Sequence, residues 1–469
     1  MVDRTGAGDK RTVSRSPRKF FHNFIPGRVF SLAFPLMLGM MSQVILNVVD
    51  AAMVGQLGAA ELAAAGLGSM AFMVVAMAFE SLGTGTQILV SREWGGKKRS
   101  GASQVLSNSL VLTLPLGALL SSLAFFREIP FIPLLVDEVN VQELTTIYVR
   151  YRFVCLFFFL IFSSFRGYFD GVGKTQIRMK YMIIVVSLNI LLNYLLIFGK
   201  WGLPRMEVAG AALASTLAVT AGTFYILICA WHDKVFKEHP FFRRRNFHWK
   251  TVWDIAYYSL PKGARMFFFF GAFLVFFKFV GMTETAPDEV AAVLAATNIL
   301  VTILSFSFMP GVGIGIAGAT LVGQTLGAGK VTAARHYGWA STRFGVLFMG
   351  LAGLLYILFP REIITFFSRD PLVIAQGYWP LIILGAVQVF NGVGTVLSQC
   401  LEGAGATHWV LAAELIIYWL VLLPLTYLTA IHLGWGITAA WGCIGFMMIL
   451  YAGVMIRKFR SDSWTDIID

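Results

Sequence analysis

Charge is what this 469-residue chain is short of. Asp, Glu, Lys and Arg together make up 13% of it, against about a quarter of a soluble domain, so a water-soluble globule is excluded. Cysteine is scarce too. Cys155, Cys229, Cys400 and Cys443 all fall inside apolar runs with no disulfide or metal spacing, which makes them small packing residues and leaves no disulfide framework to expect. Histidine is sparse, with His336, His408 and His432 flanking apolar runs rather than clustering within them. There is no HExxH, and no GxSxG in a strand-to-helix setting. The string Gly171-Val172-Gly173-Lys174-Thr175 resembles the end of a phosphate-binding loop, but the glycine required five positions before Gly173 is Tyr168, so it reads as a helix-connecting turn. The first 20 or so residues lack the apolar core of a cleavable signal peptide. A soluble catalytic site, a resident metal and a bound cofactor are therefore not expected.

What the chain has in excess is apolar sequence. Hydrophobic residues reach 57% and the mean hydropathy is +0.73, which places the chain in a lipid bilayer. Apolar runs of roughly 20 residues, the length that crosses a hydrocarbon core of about 30 Å, recur near 29–54, 65–90, 103–126, 146–165, 179–199 and 207–231. A second set follows near 255–280, 291–322, 338–360, 376–399, 408–430 and 434–456. These runs predict an all-α integral membrane protein with six helices in each half and twelve in all.

The net charge of +12 has a membrane explanation. With the N-terminus assigned to the cytoplasm, 27 of the 37 Lys and Arg fall in the two tails and the even-to-odd loops, seven fall on the other side and three lie within the seventh span. That is the positive-inside pattern. It predicts both termini in the cytoplasm, a solvated basic flank rather than a nucleic-acid surface, and a multi-pass protein of an energised membrane, most simply a bacterial inner membrane. The expected organisation is a basic tail over 1–27, an N-lobe over 28–231, a basic linker over 232–252, a C-lobe over 253–457 and a tail over 458–469. A short interfacial segment is expected over 20–30.

The two halves are copies. Phe169-Asp170-Gly171-Val172-Gly173-Lys174-Thr175 returns as Leu401-Glu402-Gly403-Ala404-Gly405-Ala406-Thr407, and 83–96 (GTGTQILVSREWGG) aligns with 315–328 (GIAGATLVGQTLGA), both at an offset of 232. Ala64-Ala65 matches Ala295-Ala296 at 231. Six helices return the chain to its starting side, so the repeats must be parallel, related by an axis along the membrane normal. Each half then serves as the control for the other.

Polar groups at bilayer depth are costly and mark pathways. Gln43, Asn47 and Asp50 share one face of the first helix by i, i+4, i+7 spacing, Glu80, Thr84 and Gln87 repeat that spacing in the second, and Asn189 and Asn193 lie one turn apart in the fifth. At the offset of 232 Glu80 becomes Val312, Asn189 becomes Val421 and Asn193 becomes Leu425. Matching Pro35 to Pro261 gives an offset of 226 for the first helix and sets Phe276 opposite Asp50. The first half is polar where the second is apolar, so the chemistry is expected in the N-terminal bundle. An amide at depth can simply hydrogen-bond between helices. A carboxylate there has to be protonated or paired, which makes Asp50 and Glu80 the expected carriers of a coupling proton or sodium ion, with Gln43, Asn47, Thr84, Gln87, Asn189 and Asn193 lining the site. In the seventh helix Lys262, Arg265 and Lys278 are expected to snorkel to headgroups.

Three stretches carry a family resemblance: residues 34–58 (FPLMLGMMSQVILNVVDAAMVGQLG), 322–329 (VGQTLGAG) and 189–202 (NILLNYLLIFGKWG). Over about residues 28–458 the chain resembles the multidrug and toxic compound extrusion (MATE) family, and the last stretch resembles its NorM branch most. The resemblance implies a two-lobed, V-shaped antiporter of twelve helices that exports cationic or amphipathic compounds in exchange for protons or sodium, working as a monomer. It carries the family's first-helix Asp onto Asp50 and its fifth-helix polar pair onto Asn189 and Asn193. Acidic residues that NorM-like members tend to carry in the seventh and tenth helices are replaced here by Phe269 or Phe270 and by Gly385. The expected mechanism is alternating access, with protonation of Asp50 bending the first helix towards release outside. A flippase of lipid-linked saccharides is the rival reading, since that superfamily shares a fourteen-helix relative of this architecture. An integral-membrane enzyme is a third, and would carry polar residues near one membrane face.

Overall fold

The structure, a computed structural model, describes residues 26–123, 132, 138–240 and 246–465. The basic tail up to residue 25 lies outside them, with most of the expected interfacial segment; residues 27–30 belong to the first long helix. Among the described residues twelve helices are long and apolar enough to cross a membrane. They are α1 (Gly27–Val54), α2 (Ala59–Gly95), α3 (Arg99–Ser122), α4 (Val139–Val172), α5 (Thr175–Phe198) and α6 (Glu207–Trp231), then α7 (Trp249–Gly281), α8 (Pro287–Gly327), α9 (Val331–Leu358), α10 (Pro371–Gly403), α11 (Thr407–His432) and α12 (Gly436–Arg460). Each contains one expected apolar run or most of it. Several extend beyond it, because flanks that hydropathy discards for their charge or glycine still form helix. α7 thus begins inside the expected linker, and α11 is π-helical over Ile416–Leu422 and Tyr427–His432.

The repeated string is a turn in both copies. The N–H of Gly173 bonds to the carbonyl of Asp170 and that of Lys174 to Phe169; Gly405 bonds to Glu402 and Ala406 to Leu401. Gly173 and Gly405 stand at φ 86° and 92°, the left-handed conformation that ends a helix and that only glycine adopts without strain.

The lobes are built alike and related by a pseudo-twofold. In the first, α2 packs on α4, α4 on α3 and α6, and α1 on α5; in the second α8 packs on α10, α10 on α9 and α12, and α7 on α11. Between lobes α1 meets α8 while α7 meets α2. The axis passes close to two glycines 232 positions apart. A Cβ on Gly95 would lie 1.9 Å from the carbonyl oxygen of Gln324, and one on Gly327 would lie 2.1 Å from that of Arg92. The offset of 226 for the first helix holds in space as well: Gly313 approaches Met37 in one crossing, and their counterparts Ser81 and Gly263 approach each other in the other.

Hydrogen bonds tie the lobes together at the end that bears the basic loops. Gln87 Nε2 donates to Thr320 Oγ1 at 2.9 Å, and Thr320 Oγ1 to the Asp170 carbonyl at 3.0 Å. Gln324 Nε2 donates to the Gly171 carbonyl at 2.8 Å and Arg92 Nη2 to the Ala404 carbonyl at 2.8 Å. Because Arg92 and Gln324 are themselves counterparts, each lobe docks the end of its α2 or α8 on the other lobe's repeated turn. The linker is held to α3 by Ser103, which donates to the His239 carbonyl, and by Asn108, which bonds to Asn246 and His248.

Candidate functional site

Near the end of α1 remote from the basic loops, Asp50 is partly buried and joins a chain of side chains on three helices. Asn193 Nδ2 on α5 donates to Asp50 Oδ1 at 2.6 Å and to Asn189 Oδ1 at 2.8 Å, and Asn189 Nδ2 donates to Ser215 Oγ on α6 at 2.8 Å. Asn189 and Asn193 are buried. Both donors of Asn193 being spent, its Oδ1 is left buried and without a partner. A buried acceptor with no donor costs about 1–3 kcal/mol, and here it sits on the same amide that touches a carboxylate. The two oxygens suit a small cation. They also suit a proton, since a protonated Asp50 becomes a donor that Asn193 can meet by turning its amide.

Arg152 completes this layer. Thr216, next to Ser215, donates to the Tyr151 carbonyl at 2.9 Å, which sets the adjacent Arg152 of α4 at the same level. Its guanidinium carbon lies 4.0 Å from the Phe72 ring centroid, and its Nε is buried without a hydrogen bond. Sequence reasoning had counted Arg152 with the far-side cations. Its position within the 146–165 run was the signal.

The eight expected residues do not form one site. Asp50, Asn189 and Asn193 come together. Gln43 and Asn47 are exposed on α1 and bond to each other at 3.3 Å. Glu80, Thr84 and Gln87 lie elsewhere, because Glu80 is 21 residues along α2, about 31 Å from its start, whereas Asp50 is close to the other end of the membrane. Asp50 and Glu80 therefore do not share a cavity. Glu80 faces Arg166 of α4 at 3.4 Å, with its side chain 30% exposed. Thr84 and Gln87 are buried at the seam between the lobes, where they line a small gap of about 10 Å³ with Ser91, Gln399 and Glu402.

The C-lobe departs further from expectation. Phe276 is fully buried, as an apolar counterpart of Asp50 requires, yet the lobe is not apolar throughout. Lys262 and Arg265 do not snorkel. Lys262 Nζ lies 3.0 Å from Glu402 Oε2, and Arg265 Nη1 lies 2.6 Å from Glu402 Oε1 and 3.3 Å from Glu414 Oε1. Tyr451 Oη of α12 donates to Glu414 Oε1 at 2.5 Å. Both carboxylates and Arg265 are buried. The counterpart of Glu402 in the N-lobe, Asp170, is buried too and paired with Arg178 of α5 at 2.9 Å. Asp170 and Glu402 stand in the repeated string itself, where a turn-forming role concealed them; burial follows from the opposite lobe lying across the turn. Lys278 is exposed. Among the described residues no three His, Cys, Asp or Glu side chains gather as metal ligands, and no two of the four cysteines are joined.

This architecture has relatives. A probable multidrug resistance protein NorM of Thermotoga maritima is 26% identical over 462 residues, covering 95% of this chain and 96% of its own length. A multidrug resistance protein NorM of Burkholderia vietnamiensis is 28% identical over 467 residues, covering 97% of each. A crystal structure of MATE in complex with MaL6 superposes with a TM-score of 0.85 at 20% identity, over 95% of this chain and 99% of the other. An outward-facing multidrug resistance MATE family transporter of the MOP superfamily gives 0.82 at 21%, over 94% and 97%. The MatE family model matches residues 35–195 and 261–428, one segment in each repeat and together well over half of the chain; with twelve spans and the two-lobed fold, the chain belongs to the MatE family of membrane transporters.

Proposed function

We propose that this chain is a secondary active antiporter that exports cationic or amphipathic organic compounds in exchange for protons or sodium, coupled at Asp50. The observation that carries the reading is the buried, unpartnered Oδ1 of Asn193 beside the Asp50 carboxylate. It is built once, in the N-lobe, although the fold is built twice. The end with the basic loops is assigned to the cytoplasm of a bacterial inner membrane, and one chain is the working unit. With the lobes joined at that end, a substrate or coupling ion reaches Asp50 from outside; rocking of the lobes would open the seam at Thr84, Gln87 and Glu402 to the cytoplasm.

The cycle follows from charge. With Asp50 ionised, the N-lobe favours a cation, organic or inorganic. With Asp50 protonated, that attraction is lost and the α1–α5 contact is rearranged, so substrate leaves on the side where protons are abundant. Sodium would act by occupying the same oxygens. Glu80, paired with Arg166 and partly exposed near the seam, is the second acidic group available to a passing cation or proton.

The test is uptake of a fluorescent organic cation into inverted vesicles, wild type beside Asp50→Asn, with a pH gradient and a sodium gradient imposed in turn. Wild type should move the dye with one gradient, which names the coupling ion, and Asp50→Asn should not. Gradient-driven uptake at the wild-type rate in Asp50→Asn would refute the site. No uptake of any cation by wild type would refute the substrate class.

A further inference from the structure

The repeat-related helices α1 and α7 are anchored in opposite ways. Four residues beyond the matched prolines Pro35 and Pro261 stand Gly39 and Arg265, and at the same level of the partner helices stand the counterparts Met182 and Glu414. Both pairs meet. In the N-lobe the meeting is apolar: a Cβ on Gly39 would lie 3.5 Å from Met182 Cγ. In the C-lobe the Arg265 guanidinium reaches Glu414 at 3.3 Å and Glu402 at 2.6 Å, with Lys262 on Glu402 at 3.0 Å.

The C-lobe cluster balances two cations of α7 against one carboxylate of α10 and one of α11. Other polar groups surround it. Gln399 of α10 accepts from Lys262, and Tyr451 of α12 donates to Glu414. Drawing α7 away from α10 and α11 would leave four charges unpaired in a low-dielectric interior, which is costlier than parting α1 from α5, where the contacts given up are Gly39–Met182, Met40–Arg178 and the single carboxylate bond of Asp50 to Asn193. Towards the far end α7 is held further by its rings, with Phe269 packed on Tyr418 at 5.6 Å and Phe276 on Trp441 at 5.6 Å.

We propose that Lys262 and Arg265 are positioning residues that fix α7 to α10 and α11, so that of the two repeat-related helices only α1 bends during transport. This rests on the reading of Asp50 as the coupling site and adds why the response stays in one lobe. Glu402 also lines the gap at the seam beside Thr84, Gln87 and Ser91 of α2. α7 therefore acts as a strut between its own lobe and α2, against which Gly263 and Ser259 pack.

The test is hydrogen–deuterium exchange of the full-length protein in lipid nanodiscs, at acidic and alkaline pH, corrected for intrinsic exchange. In wild type the peptides of α1 beyond Pro35 should change their exchange with pH while those of α7 beyond Pro261 stay slow at both. Replacing the whole cluster by neutral near-isosteres, with Lys262→Met, Arg265→Met, Glu402→Gln and Glu414→Gln together, leaves no unpaired charge. It should raise α7 exchange about tenfold. Glu414→Gln alone keeps the Tyr451 contact and should give a smaller rise of the same sign. Unchanged α7 exchange in both variants, or equal pH response of α1 and α7 in wild type, overturns the proposal. Asp50→Asn separates the two readings: a persisting α1 response in that variant refutes the coupling site while the α7 comparison still reports on the lock.

Discussion

Gly95→Ala should open the seam between the lobes without unfolding either. The added methyl would lie 1.9 Å from the backbone oxygen of Gln324, and a comfortable contact needs at least about 3.4 Å, so the ends of α2 and α8 must separate by about 1.5 Å. A backbone atom cannot turn aside as a side chain would. Overpacking of this kind costs about 1–3 kcal/mol, and the cost falls only on the state in which the lobes touch here. By linkage the closed-seam population drops relative to the open one by roughly fivefold to over a hundredfold. The assay is labelling of a cysteine at Thr84, buried at the seam, by an impermeant thiol reagent applied from the basic face, with Cys229 replaced by Ser. Gly66→Ala in the same helix is the control. Nothing lies within 4 Å of the methyl there, so it should leave labelling unchanged and stabilise the helix by up to about 1 kcal/mol. Equal labelling in Gly95→Ala and its parent, with both folded, would show that this crossing does not hold the seam.

Asn193→Leu, which copies the C-lobe residue into the N-lobe, removes the donor to Asp50 and the free acceptor together; gradient-driven dye uptake should fall at least tenfold while the protein still folds, and wild-type uptake would remove Asn193 from the site. Arg178→Met removes the ion-pair partner of the buried Asp170, and should cost about 3–5 kcal/mol in thermal unfolding. Pairing it with Asp170→Asn should recover most of that loss, and an additive double variant would mean that the pair is not coupled.

The fold was legible because hydropathy and repetition are properties of the chain itself. Twelve apolar runs need no tertiary knowledge to be counted, and the offset of 232 pairs Gly95 with Gly327 whether or not the helices are seen to cross. The Asp50 layer was half legible. Asp50, Asn189 and Asn193 stood out as polar groups at depth, but Ser215 is ordinary in an Ala-rich helix and Arg152 passed for a loop cation. Glu80, Thr84 and Gln87 share a face by spacing, and this misled: one face of a 37-residue helix meets α4 at one height and the opposite lobe at another.

The sequence alone determined the membrane class, the number of spans, the parallel repeat and the polarity difference around Asp50, since these depend on composition and on order along the chain. Only the tertiary structure decided which charges are paired. Arg265 and Glu414 are 149 residues apart, and no local pattern distinguishes a lysine or arginine that reaches for headgroups from one that meets a buried carboxylate. That outcome depends on which helices pack side by side within the lobe.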